Sequence, residues 1–61
     1  MNAVDTDLDL IKVVIADDEP LIRMDLKELL EEASTYKVVA EAKDGDEAVQ
    51  AINEHRPDIV F

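Results

Sequence analysis

The chain has 61 residues, 16 acids against 6 bases for a formal charge of -10, and no cysteine. That length allows one domain at most, burying only about 60% of its unfolded surface, and the charge argues against nucleic-acid backbones and anionic membranes as direct partners. The absence of cysteine excludes disulfides, thiol nucleophiles and zinc-thiolate sites, and no apolar run approaches the roughly 20 residues that a membrane helix needs. An acidic chain of this kind suits cations or basic protein surfaces. The N-terminus lacks the basic start and apolar core of a secretory signal, so a cytoplasmic protein is expected.

Residues 1–10 alternate Asp5, Asp7 and Asp9 with Thr6, Leu8 and Leu10 and carry no helical period; a mobile acidic leader is expected there, with the domain proper over 11–61. From Ile11 to Ala16 the run I-K-V-V-I-A is small or β-branched and ends abruptly at Asp17-Asp18-Glu19-Pro20. It reads as a strand buried on both faces, as in a parallel sheet. Pro20 fits the first position of a helix, where its missing N–H is no loss. After it, Ile22, Leu26, Leu29, Leu30 and Ala33 follow the i, i+4, i+7, i+8, i+11 spacing of one helix face, which predicts an amphipathic helix of about 14 residues. Met24 and this leucine stripe are expected to pack in the core. Ser34 and Thr35 break the pattern. Tyr36 to Ala42 then predicts a second strand around Val38-Val39-Ala40.

Asp44-Gly45-Asp46-Glu47 reads as a turn, and Asp44 with Glu47 has the spacing of a capping box. Ala48, Val49, Ala51 and Ile52 supply the apolar face of a second helix, which ends near His55-Arg56 because Pro57 cannot continue it. His55 is a lone histidine at a helix end, with no ligand role expected. Asp58-Ile59-Val60-Phe61 starts a third strand. Tyr36 and Phe61, the only aromatics, are too few for a base-stacking surface.

Strands alternating with helices through short connections imply a parallel sheet with right-handed crossovers. If the second and third strands flank the first, the helices lie on opposite faces and the switch point falls beside Asp17 and Asp18, where open parallel sheets bind ligands. On spacing alone these acids, with Glu19, either cap the first helix and complement its dipole or hold a cation.

Lys12 to Leu30 (K-V-V-I-A-D-D-E-P-L-I-R-M-D-L-K-E-L-L), with Ala42 to Ala48 (A-K-D-G-D-E-A) and Arg56 to Val60 (R-P-D-I-V), resembles the amino-terminal half of the receiver domain of two-component response regulators. The segment Leu21 to Leu26 looks most like receivers of antitermination regulators with an RNA-binding output domain. The resemblance implies an α/β flavodoxin-like fold, βαβαβ with strand order 2-1-3, truncated in the third strand. It also implies that Mg2+ is bound and that a histidine kinase delivers a phosphoryl group to an aspartate. By motif match, Asp18 is the direct metal ligand and Asp17 binds through water or shapes the pocket, with Glu19 held at the helix entry. Magnesium prefers oxygen ligands, keeps several waters and is commonly held by one or two carboxylates plus phosphate oxygens.

In the family, the phosphoacceptor aspartate ends the third strand, about two residues beyond Phe61 on strand spacing, and Asp58 stands too early in that strand to replace it. A receiver fragment, not an enzyme, with no catalytic residue of its own is therefore expected. The alternative is a self-associating half-domain without phosphoryl transfer: a homo-oligomer pairing its open strand edges and apolar patches. A metal-binding module unrelated to signalling is the third reading.

Overall fold

In the computed structural model, which describes residues 10–61, the apolar run forms strand β1 (Ile11–Ala16). Val13, Val14 and Ile15 are each 0% exposed. Successive side chains of a strand point to opposite faces, so three consecutive buried residues require cover on both. That cover comes from two helices, α1 (Pro20–Glu32) and α2 (Gly45–His55), which pack on the sheet and make no contact with each other. Strand β2 (Tyr36–Ala42) and the short β3 (Ile59–Val60) pair with β1 in parallel, one on each side. The order is β2-β1-β3, as the alternation implies, and β1 is central. The expected acidic leader, Leu10 apart, lies outside the described residues.

The element ends follow local chemistry. Helix α1 runs 13 residues and stops one short of the expected Ala33, which leaves helical geometry (φ -87, ψ 77) while its N–H still reaches the Leu30 carbonyl. Helix α2 ends at His55, and Arg56 adopts the left-handed conformation (φ 49, ψ 62) that turns the chain before Pro57. The third strand is regular over only two residues, but Asp58 N–H donates to the Lys12 carbonyl at 2.8 Å and Phe61 N–H to the Val14 carbonyl at 2.9 Å, extending the ladder both ways.

Two features depart from the sequence expectation. Val13 is paired with Val38 but Val14 with Ala40, so Val39 is an extra residue in β2, a bulge that no glycine announces. As a result Ala42, and not Glu41, lies opposite Ala16, and Ala42 is 1% exposed. The second departure is the contact face of α1. Of the expected stripe only Leu26 and Leu30 are partly covered; Leu29 is 64%, Met24 50% and Ile22 41% exposed, and Ala33 is exposed too.

The face on the sheet is Arg23, Leu26, Lys27 and Leu30, an i, i+3, i+4, i+7 set. The two cations on it pair with Glu41 of β2, and their aliphatic stems cover the strand where leucines were expected. In α2 the small residues make the approach: Ala51 is 8% exposed, while Val49 and Ile52 are 58% and 38% exposed. Among the described residues no helix is long and apolar enough to cross a membrane.

The core is therefore concentrated in β1. Ile15→Ala is expected to lower stability by about 2–5 kcal/mol and Leu29→Ala by no more than about 0.5 kcal/mol, measured by urea unfolding followed by circular dichroism. A comparable loss in both variants would contradict this placement of the core.

Candidate functional site

Strand β1 ends at Ala16 and the chain passes through Asp17, Asp18 and Glu19 into α1 at Pro20. The exit is fixed from both flanking strands: Ala16 N–H donates to the Phe61 carbonyl at 2.8 Å and Asp17 N–H to the Ala42 carbonyl at 3.0 Å. The carboxyl ends of all three strands thus meet at these acids. Asp17 Oδ1 accepts from Glu19 N–H at 2.8 Å, the local turn that aspartate side chains form with backbone two residues on.

Glu19 is extended (φ -102, ψ 113) and is the N-cap of α1 without a side-chain cap bond; its carbonyl accepts from Ile22 and Arg23 N–H at 3.1 Å each. Capping of α1 by the Glu19 side chain is therefore not what this acidic run does. Oxygens of Asp17, Asp18 and Glu19 lie within 4.8 Å of one another, with Asp17 half-buried and the other two exposed.

Beside this turn is an open depression of about 260 Å³, lined by Asp17, Asp18, Lys43, Asp44 and Ala48 among others. Its far wall is the entry to α2. Asp44 is extended (φ -154, ψ 178) and its Oδ1 accepts from Glu47 N–H at 2.9 Å, so the expected cap forms. The reciprocal bond of a capping box goes elsewhere: Glu47 Oε1 accepts from Lys43 N–H at 2.9 Å, one residue before the cap, and Oε2 lies 4.0 Å from Lys43 Nζ. Asp46 and Glu47 in the first turn complement the positive end of the helix.

Two other residues weighed from the sequence lie away from the acids. Asp58 stands at the amino end of β3, where its Oδ2 accepts from Lys12 N–H at 2.9 Å, at the opposite end of the sheet. His55 closes α2 and lines a separate shallow depression with Glu41, Glu47 and Glu54.

Arg23, which the apolar stripe of α1 does not mark, also reaches this turn. Its Nη1 donates to the Asp17 carbonyl, and its Nε lies 3.5 Å from Glu41 Oε1. Lys27 Nζ is 3.7 Å from the other oxygen of Glu41. The Arg23 side chain is only 17% exposed, and its Nε, shielded from solvent, makes no hydrogen bond; the Glu41 contact is an ion pair of loose geometry. A signal existed: Arg23, Leu26, Lys27 and Leu30 have helical spacing from one another, one turn after the acids.

Carboxylates gathered at the carboxyl end of the central strand, where an open parallel sheet reverses its order, define a doubly wound α/β domain of the flavodoxin-like class. Within that class the chain belongs to the response regulator receiver domain family, which matches residues 13–61. It is similar to "Transcriptional regulatory protein PdtaR" of Mycobacterium tuberculosis, 54% identical over 50 residues, covering 82% of this chain and 24% of that protein. It is also similar to "Transcriptional regulatory protein BtsR" of Escherichia coli K12, 42% identical over 52 residues, covering 85% and 22%. A third relative is "Protein-glutamate methylesterase/protein-glutamine glutaminase 3" of Syntrophomonas wolfei, 47% identical over 51 residues, covering 84% and 14%. The chain spans about a quarter or less of the length of these relatives. No solved structure matches it.

The wall at α2 depends on its cap. Asp44→Ala is expected to cost about 1 kcal/mol, and Asp44→Asn only a few tenths, read as thermal unfolding midpoints. Equal midpoints for wild type and the alanine variant would show that this bond does not hold the wall.

Proposed function

We propose that this chain serves as the metal-holding part of a two-component receiver, in which Asp17 and Asp18 hold Mg2+ for transfer of a phosphoryl group from a histidine kinase. The observation that carries the reading is the convergence of the Asp17, Asp18 and Glu19 oxygens within 4.8 Å at the end of β1. Two oxygens opposite each other on one magnesium ion are about 4.2 Å apart, since each bond is about 2.1 Å. Oxygens gathered within 4.8 Å of one another suit an ion held directly by one carboxylate and through water by the others. Magnesium, which keeps several waters when bound by protein, fits such a donor set.

The residues divide the work by what already engages them. Asp17 Oδ1 is committed to Glu19 N–H, so Asp17 is suited to a water-mediated role and to holding the turn. Asp18 is exposed and makes none of the side-chain hydrogen bonds of the turn, which leaves both its oxygens for direct ligation. When bound, the ion neutralises charge on the phosphoryl oxygens and so lowers the repulsion between donor and acidic pocket.

The acceptor in this reading is an aspartate following Phe61. The Phe61 carbonyl already bonds the last residue of β1, and about two residues further along, at roughly 3.3 Å each, the strand comes level with Asp17 and Asp18. The chain is then the kinase's substrate and not itself an enzyme.

A magnesium titration followed by 1H–15N NMR tests the metal assignment. Saturable shifts are expected at residues 17–19 and 44. Asp18→Asn is expected to weaken binding about tenfold or more, equivalent to about 1.4 kcal/mol, with a smaller effect for Asp17→Asn and none for the distant Glu31→Gln. Shifts spread evenly over all acidic residues, or an unaltered affinity in Asp18→Asn, would overturn it.

A further inference from the structure

We propose that Arg23 is a positioning residue for the acidic turn: its guanidinium clamps the Asp17 carbonyl and, through Glu41, ties the β1–α1 turn to the edge strand β2. The metal consequence of this brace rests on the function proposed above; the brace itself does not. Arg23 is the cation on the sheet-facing side of α1 whose side chain reaches back to the turn that precedes its own helix. Nη1 donates to the carbonyl of Asp17, while Nε faces Glu41 Oε1 at 3.5 Å. One planar guanidinium therefore spans two elements, and its fixed fork makes the two contacts interdependent.

Both backbone polar groups of Asp17 are then held. Its N–H is held by the Ala42 carbonyl and its carbonyl by Arg23, leaving little freedom for the backbone that carries the Asp17 and Asp18 side chains. Within the turn, Asp17 Oδ1 accepts from Glu19 N–H, while Asp18 and Glu19 are exposed and Glu19 makes no side-chain cap bond, so Arg23 is the side chain that restrains the turn from outside it. Lys27 reaches the same Glu41 at 3.7 Å without touching the turn, so it shares the charge environment of Arg23 but not the clamp.

This contrast separates positioning from electrostatics by sign. Removing a cation near an acidic site makes the site more negative, so a purely electrostatic role for Arg23 predicts tighter magnesium binding in Arg23→Met. Positioning predicts weaker binding, because the carboxylates lose their preset geometry; supporting contacts behind metal ligands are typically worth 10- to 100-fold in affinity. Methionine keeps much of the apolar stem against β2, and Lys27→Met serves as the matched loss of charge.

The experiment has two readouts on the 61-residue chain. In metal-free protein, amide exchange at Glu19 N–H is expected to speed up about fivefold in Arg23→Met and to stay at the wild-type rate in Lys27→Met. With magnesium, affinity is expected to fall about tenfold in Arg23→Met and to be unchanged or slightly higher in Lys27→Met. Circular dichroism establishes that each variant is folded. If Arg23→Met is not, Arg23→Lys takes its place, since one ammonium cannot make both contacts, and the same two changes are expected.

Unchanged exchange at Glu19 overturns the brace. Faster exchange with magnesium affinity equal to or above wild type overturns its positioning of the metal acids. A wild-type chain that binds no magnesium overturns the proposed function instead, and the brace is then decided by the exchange rates alone.

Discussion

The double-sided burial of Val13, Val14 and Ile15 is the constraint on which the rest of the structure depends. A strand with no exposed face cannot sit at the edge of a sheet, so it must be paired on both sides and covered above and below. In a chain whose strands are parallel, each pairing then needs a crossover, and each crossover is a helix. The arrangement β2-β1-β3 with α1 and α2 on opposite faces follows from one apolar run and the handedness of crossovers. Burying each of these side chains is worth about 1.5–3 kcal/mol, and the three sit where nearly all of the completely buried volume is. The acids that follow are half-buried or exposed and add little to stability by comparison. The chemistry thus sits at the end of the most stable element without being asked to hold it together.

Much of this could be read from residue order alone, because the informative signals were local. An apolar run halted by three acids and Pro20, a capping pair at Asp44 and Glu47, and Pro57 after His55 each act within a few residues, so sequence spacing decides them. The strand order was also accessible, since crossover handedness leaves few choices. What escaped was whatever depends on a partner far along the chain. The Val39 bulge is a matter of register between two strands, and Val-Val-Ala has no residue that marks the extra position. The contact face of α1 escaped for a related reason: an apolar stripe counts leucines, whereas Glu41 of β2 draws Arg23 and Lys27 onto the sheet and their stems do part of the covering. The Glu47 carboxylate bonding Lys43 N–H in place of Asp44 N–H is a one-residue difference below the resolution of a capping motif.

Charge distribution explains why the acidic composition does not disrupt this site. With 16 acids to 6 bases most carboxylates must do without an ion pair, and exposed pairs are in any case worth about 0–1 kcal/mol. The chain places its basic residues selectively. Arg23 and Lys27 share the one acid that β2 directs toward α1, and Lys43 stands across the depression from Asp17 and Asp18. Asp17, Asp18 and Glu19 have no ion pair with any of them among the described residues, so their carboxylates remain available to a cation.

The bulge, the brace and the acidic turn can be understood as one unit. Were Val39 paired with Val14 and not bulged out, the register begun at Val13 and Val38 would bring Glu41 opposite Ala16, the position that Ala42 now fills at 1% exposure. A carboxylate there would be buried without a cation, at a cost of several kcal/mol. Arg23 would lose its partner at the same time. With the bulge, the small Ala42 side chain fills the closed position, its carbonyl receives Asp17 N–H, and Glu41 is free to meet the guanidinium that holds the carbonyl of the same residue. A single extra residue in the edge strand therefore sets two contacts at the end of the central strand, one through backbone and one through a side chain. The geometry of Asp17 and Asp18 is consequently a property of β2 as much as of β1.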